Sequence, residues 1–171
     1  APLTCAKVSD RLNPMTRLFI ERSPFVCLST SDAAGTCDLS PRGDPAGFVR
    51  ILDDCTLLMP ERPGNRLADS LRNILVNPHV GLLFIVPGVT DTLRVNGRAA
   101  ITTDAALLAF SAVEGKAPRL GLLVDIDEAY ALAQGGDEAV EVGARVALGD
   151  CKEQLAITLC VKAPERHAAQ D

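Results

Sequence analysis

Histidine is scarce in this sequence, with two residues, and its six cysteines (Cys5, Cys27, Cys37, Cys55, Cys151 and Cys160) form no Cys-x-x-Cys pair. That pattern argues against a zinc site, and thiols set mostly in apolar runs read as buried and reduced. Basic charge is in deficit too: 17 lysines and arginines face 22 acidic residues, a net charge of −5. A chain of that sign has no global grip on a polyanion, so nucleic acid is not an expected partner. No apolar run approaches the ~18 residues of a membrane span, and Ala1 to Lys7 lack the apolar stretch of a secretion signal. The expectation is a protein of the reducing cytoplasm with no membrane contact. What is present is 171 residues, 47% of them hydrophobic. That suffices for about one domain that buries roughly two thirds of its unfolded surface without a metal or disulfide staple.

Leu12, Met15, Leu18, Phe19 and Ile20, mostly three or four residues apart, predict an amphipathic helix from Asp10 to Arg22, stopped by Ser23-Pro24. Phe25 to Thr30 and Cys37 to Ser40 form a predicted hairpin about a turn at Ser31 to Gly35. Pro41 to Gly47, with two prolines and two glycines, reads as a loop. Short strands at Phe48 to Leu52 and Thr56 to Met59 follow, then a loop from Pro60 to Gly64 and a helix from Asn65 to Val76, closed by Asn77-Pro78. Strands from Val80 to Val86 and Thr92 to Ile101 flank Pro87-Gly88, and Asn96-Gly97 reads as a turn. A helix from Asp104 to Val113, capped by Asp104, leads to a strand from Leu120 to Ile126. Antiparallel hairpins with helices at their joints indicate an α+β barrel rather than a doubly wound parallel sheet. After Tyr130 the apolar residues fit neither period.

Three arginine clusters stand beside glycine or proline: Ser40-Pro41-Arg42-Gly43-Asp44, Glu61-Arg62-Pro63-Gly64-Asn65-Arg66 and Arg94-Val95-Asn96-Gly97-Arg98. Guanidinium forks at strand ends and beside a helix start suit an anionic small molecule such as a phosphate. Such arginines are also commonly just solvated, and no Gly-rich phosphate loop is present. Arg50, in the middle of an apolar strand, either faces water on an open sheet face or is held for a ligand. Arg42-Gly43-Asp44 is a chance match to an adhesion tripeptide, His79 reads as structural or exposed, and His167 as solvated. No nucleophile with a matching base, no paired carboxylates and no metal cluster stands out, so any reactivity would come from a cofactor.

Taken together, Phe25 to Asp38, Ser40 to Arg50, Pro60 to Asn73, Asn77-Pro78-His79-Val80-Gly81-Leu82-Leu83-Phe84 and Thr92 to Ala99 resemble the pyridoxamine 5'-phosphate oxidase-like flavoproteins. The likeness is to the subgroup carrying Ser-Pro-Arg-Gly-Asp and Gly-Asn-Arg, and it covers roughly Leu12 to Tyr130. It implies an FMN-binding split β-barrel with flanking helices, a homodimer, and flavin mononucleotide at the subunit interface. Carried over by position, Arg50 would contact the flavin, and the strand ending at Met59 and Pro60 would run along its ring. Arg62, Asn65, Arg66 and Ser70 would lie on the phosphate side, and Thr92 and Arg94 near the ring's polar edge. No catalytic side chain and no metal ligand are implied. The function implied is FMN-dependent oxidoreduction with a small-molecule substrate or a nicotinamide reductant. The alternatives are a flavin carrier without turnover and a cofactor-free interaction module. The oxidase's C-terminal Arg-x-His pattern is missing, which disfavours vitamin B6 oxidation. The division expected is a flavin-binding barrel over 1–130 and an atypical tail over 131–171. That tail departs from the subgroup's usual His-Cys-x-Lys-Ala and Arg-Ser-x-Leu-Trp segments. Codons for Ala133 to Val142 can be written so that the next reading frame restores residues close to them, which suggests a frame-shifted tail.

Overall fold

The computed structural model describes residues 8–62 and 68–132, with two further strands, β8 (Val142–Ala144) and β9 (Leu159–Val161). The chain divides into two compact units, Ala1–Leu132 and Ala133–Asp171. In the second, β8 and β9 pair antiparallel. The stretch 133–141, where the altered tail begins, lies outside the described residues.

In the first unit, helix α1 spans Pro14–Arg22, starting later than its apolar periodicity predicts. Asn13 sets the start. Its side chain accepts from the N–H groups of Met15 and Thr16, while Thr16 Oγ1 accepts from the N–H of Asn13. Pro14 follows at the first helical position, where a missing N–H costs nothing.

Strands β1 (Phe25–Ser31), β2 (Cys37–Gly43), β3 (Arg50–Ile51), β4 (Thr56–Pro60), β5 (His79–Ile85), β6 (Thr92–Thr102) and β7 (Gly121–Leu132) form one antiparallel sheet in the order β2-β1-β5-β6-β7-β4-β3. Helices α2 (Asp69–Val76) and α3 (Ala105–Ala109) complete an α+β split barrel, the architecture expected from the sequence. Val26, Leu28, Leu82, Phe84, Leu93 and Val95 alternate along the central strands and are fully buried on the inner face.

Several boundaries differ from the sequence reading. β2 runs through Pro41 to Gly43, which had read as loop; as an edge strand it has an unpaired side, so a residue without an N–H is tolerated there. The strand expected over Phe48 to Leu52 shrinks to Arg50–Ile51. α2 begins at Asp69 rather than Asn65, and residues 63–67 are not among those described. Asp104 does cap α3, accepting from Ala106 and Leu107, but that helix ends at Ala109. β7 runs on to Leu132.

Asn96-Gly97 is not a turn. It sits inside β6 at a register shift against β7, where Asn96 faces Glu128 and Gly97 faces Ile126. The backbone of β7 comes so close that a Cβ on Gly97 would stand 2.1 Å from the Asp125 carbonyl oxygen, so no other residue fits.

Helix α2 is tied to the β1–β2 hairpin by side chains. Asn73 Nδ2 donates to Thr30 Oγ1 at 3.0 Å, Asn77 Nδ2 to Ser31 Oγ at 2.8 Å, and Ser70 Oγ to Asp38 Oδ2 at 3.0 Å. Two ion pairs join distant parts of the sheet order: Arg42 on β2 pairs with Glu61 just after β4, and Asp44 just after β2 pairs with Arg62. All four side chains are mostly buried. They clasp the end of one edge strand to the end of the strand next to the other edge.

Candidate functional site

The clasp opens onto two adjoining clefts that share Asp44, Arg62 and Val113. The larger, of about 560 Å³, is bounded by the clasp residues Asp44, Glu61 and Arg62 and by the segment from Lys116 to Leu120. The smaller, of about 60 Å³, reaches past Pro45 to Phe48 as far as Arg50 and Ser111. The chain that forms this floor is the stretch between α3 and β7 together with the Pro45–Gly47 turn, where Gly47 adopts φ +78°. A side chain at Gly47 would also press on the Glu21 carbonyl at 3.1 Å.

Arg62 is held from two sides. Its Nε donates to Asp44 Oδ2 at 2.7 Å and its Nη2 to the Ser111 carbonyl at 2.8 Å. Of the five guanidinium donors, three, the two on Nη1 and the second on Nη2, meet no acceptor among the described residues. Ser111 is 2% exposed, and its Oγ has no hydrogen-bond partner among the described residues. A buried hydroxyl without a partner carries a desolvation cost that an incoming acceptor or donor would relieve. Arg50, Lys116 and Arg119 form no salt bridge among the described residues. The groove thus combines a fixed guanidinium, an unpartnered hydroxyl and cations without carboxylate partners along an otherwise partly apolar floor. That donor set fits an anionic ligand with an apolar part.

The sequence-derived candidates separate into groups. Arg50 and Arg62 meet at the smaller cleft. Met59 is 1% exposed within the core, so its side chain serves packing, and Pro60 is buried beside Gly121 at the end of β4. Ser70 is 4% exposed and spends its hydroxyl proton on Asp38. Asn65 and Arg66 lie outside the described residues. Thr92, half-buried, and Arg94, exposed, stand at the far end of β6.

Cross-strand register places Arg94 and Arg50 on one face. Arg94, Arg98 and Ala100 share a face of β6, Ala100 opposes Leu123, Leu123 opposes Leu58, and Leu58 opposes Arg50. Six residues of β6 separate Arg94 from the Ala100 row, roughly 20 Å along the strand. Within one chain Arg94 and Arg50 do not converge.

Ser111, Lys116 and Arg119 are groove residues that no motif announced. They come from the irregular stretch between α3 and β7, where neither periodicity nor spacing marks a side chain as facing a cleft. Asp44 was visible only as part of an arginine cluster. Among the described residues no cluster of His, Cys, Asp and Glu could hold a metal, and no helix is long and apolar enough to cross a membrane.

The fold recurs in solved structures. HupZ of Group A Streptococcus superposes with a TM-score of 0.58 at 18% identity, over 74% of this chain and 98% of that one. A candidate pyridoxamine 5'-phosphate oxidase from Lactobacillus delbrueckii gives 0.55 at 22%, over 72% and 98%. General Stress Protein 26 from Bacillus anthracis gives 0.51 at 19%, over 68% and 89%. At these identities the likeness speaks for the fold. Among curated proteins none matches the chain in sequence. The family model described as pyridoxamine 5'-phosphate oxidase matches residues 12–133, which is most of the chain, and the chain belongs to that family.

Proposed function

We propose that this chain is an FMN-dependent oxidoreductase that acts as a homodimer on a small-molecule substrate or nicotinamide reductant in the cytoplasm. The observation that carries the reading is the groove at the clasp, where Arg62 is fixed by Asp44 and the Ser111 carbonyl and shares the smaller cleft with Arg50. Membership of the family supports a flavin as the cofactor. In this reading the unit up to about residue 130 holds the cofactor, and 131–171 is the atypical tail.

Bound flavin mononucleotide would supply the hydride chemistry, and no side-chain nucleophile is required. The chain's own groups bind and orient. Arg62, already anchored by Asp44 and the Ser111 carbonyl, presents Nη1 without a large entropy loss on binding. Arg50 brings to the same cleft a charge with no carboxylate partner among the described residues. Asn65 and Arg66 are assigned to the phosphate by the family pattern. Ser70 would join them only by sharing a hydroxyl already bonded to Asp38. Met59 and Pro60 would offer backbone rather than side chain. Thr92 and Arg94 would reach the flavin of a second copy, because they stand too far along β6 to reach the groove of their own chain. The shared outer face of Arg50 and Arg94 supports a two-fold arrangement in which each copy completes the other's site.

One observation favours a cofactor-free module instead: Arg62 and Ser70, two of the phosphate-side candidates, already have carboxylate partners within the fold. Visible absorbance of the purified full chain separates the readings. Flavin bands that co-purify or appear on adding FMN support the proposal, and their absence at saturating FMN rejects it. Anaerobic bleaching by NADH or NADPH, followed by reoxidation, then distinguishes an oxidoreductase from a carrier.

A further inference from the structure

On the outer face, at the end of β6 away from the groove, Arg94 and Tyr130 of β7 stand directly opposite one another. Arg94 Nη1 donates to the Tyr130 hydroxyl at 2.7 Å, and the guanidinium carbon lies 5.5 Å from the ring centroid. Tyr130 is the sole tyrosine of the sequence.

An exposed arginine on a sheet face ordinarily samples many rotamers, and holding it still costs conformational entropy. Here the ring and the hydroxyl both hold it, through a cation–π contact and a hydrogen bond. Yet Arg94 forms no ion pair among the described residues. Nothing in the barrel requires the pair, since both residues project away from the core. One guanidinium N–H is committed to Tyr130, and the remaining donors point to no acceptor of the described chain. A fixed, unneutralised fork of this kind matches a planar edge of carbonyl and ring-nitrogen acceptors.

We propose that Tyr130 is a positioning residue, which orients the Arg94 guanidinium to donate to the polar edge of the flavin ring. This rests on the flavin reading above, and assigns to Tyr130 a part that no motif indicates.

The test uses the full chain as wild type, Tyr130→Phe, Arg94→Ala and the double variant. Equilibrium titrations with FMN and with riboflavin are combined with NMR of the arginine Nε–H groups in the flavin-free protein. Tyr130→Phe keeps the ring and removes only the hydroxyl. It should weaken both flavins by about three- to tenfold, the usual range for one hydrogen bond. It should cause no further loss in the Arg94→Ala background, and the Arg94 Nε–H signal, sharp in the wild type, should broaden.

An additive double variant, an unchanged Nε–H signal, or a loss confined to FMN would overturn the positioning role. Failure of the wild type to bind either flavin would instead overturn the flavin reading and the purpose assigned to the pair. The NMR comparison would still decide whether Tyr130 orders Arg94.

Discussion

Asp44 Oδ2 accepts from Arg62 Nε at 2.7 Å, joining the end of an edge strand to the residues that leave β4. With the Arg42–Glu61 pair beside it, this contact closes the barrel between strands far apart in the sheet order. Two of the three arginine clusters that suggested an anion site therefore meet, and part of their charge is used on each other. The same contact fixes Arg62 at the wall of the groove, so closing the barrel and shaping the site are one arrangement.

Removing one partner of the clasp should destabilise the protein by about 1–3 kcal/mol, between the values for exposed and fully buried pairs. Chemical denaturation of Glu61→Gln and Arg42→Gln should show the loss, and the double variant should lose clearly less than the sum. Strict additivity would mean the two side chains do not interact in solution.

Gly97→Ala should cost about 3 kcal/mol or more, because the added methyl has no space against the Asp125 carbonyl. A thermal melt checks it. A melting temperature equal to the wild type's would mean that β6 and β7 do not approach as closely as described.

Asp32 turns the β1–β2 hairpin by accepting from the N–H groups of Ala34 and Thr36, each at 2.8 Å. The Thr36 N–H foremost, with further turn contacts, holds its carboxyl below the ordinary value of 3.8. Asp53 is lowered likewise, chiefly by the N–H of Cys55. A folded value below the unfolded one means that the unfolded chain takes up the proton first. The contribution is therefore complete above about pH 4 and is lost as pH falls through the folded value. Asp32→Asn should flatten the stability profile below pH 4 and leave its shape at neutral pH unchanged. A profile as steep as the wild type's would remove Asp32 from the account.

Phosphate recognition should be separable from ring recognition. Arg66→Ala should weaken FMN by ~1.5–3 kcal/mol, the scale of a hydrogen bond to a charged group, and leave riboflavin nearly unaffected. Equal losses for both flavins would assign Arg66 to the fold or the ring.

Much of the sheet was legible because its strands alternate over a single apolar core. The β1–β2 hairpin follows from its period-two pattern and from turn residues such as Gly35, whereas the pairing of β1 with β5 has no local signal. Boundaries shifted where tertiary context overrode local signals. Pro41 is acceptable in β2 because that strand has a free edge, and Asn96-Gly97 is a bulge because β7 crosses too closely for any side chain. The Arg42–Glu61 and Asp44–Arg62 pairs were hidden by their separations along the chain, which only the closed sheet brings together. Ser111 had no motif at all, and that its hydroxyl is buried without a partner among the described residues becomes visible only in three dimensions.

The central claim is that the clasp groove holds FMN. It is tested most directly by titrating the full chain with FMN while following flavin fluorescence, for wild type, Arg50→Ala and Ser111→Ala. The account predicts saturable FMN binding by the wild type. Arg50→Ala should bind roughly ten- to a hundredfold more weakly and Ser111→Ala about two- to tenfold more weakly, as charged and neutral hydrogen bonds differ. Both variants should lose no more than about 1 kcal/mol of stability, since neither side chain has a hydrogen-bond or ion-pair partner among the described residues. FMN binding that neither substitution weakens would place the flavin elsewhere, and no binding by the wild type would contradict the account outright.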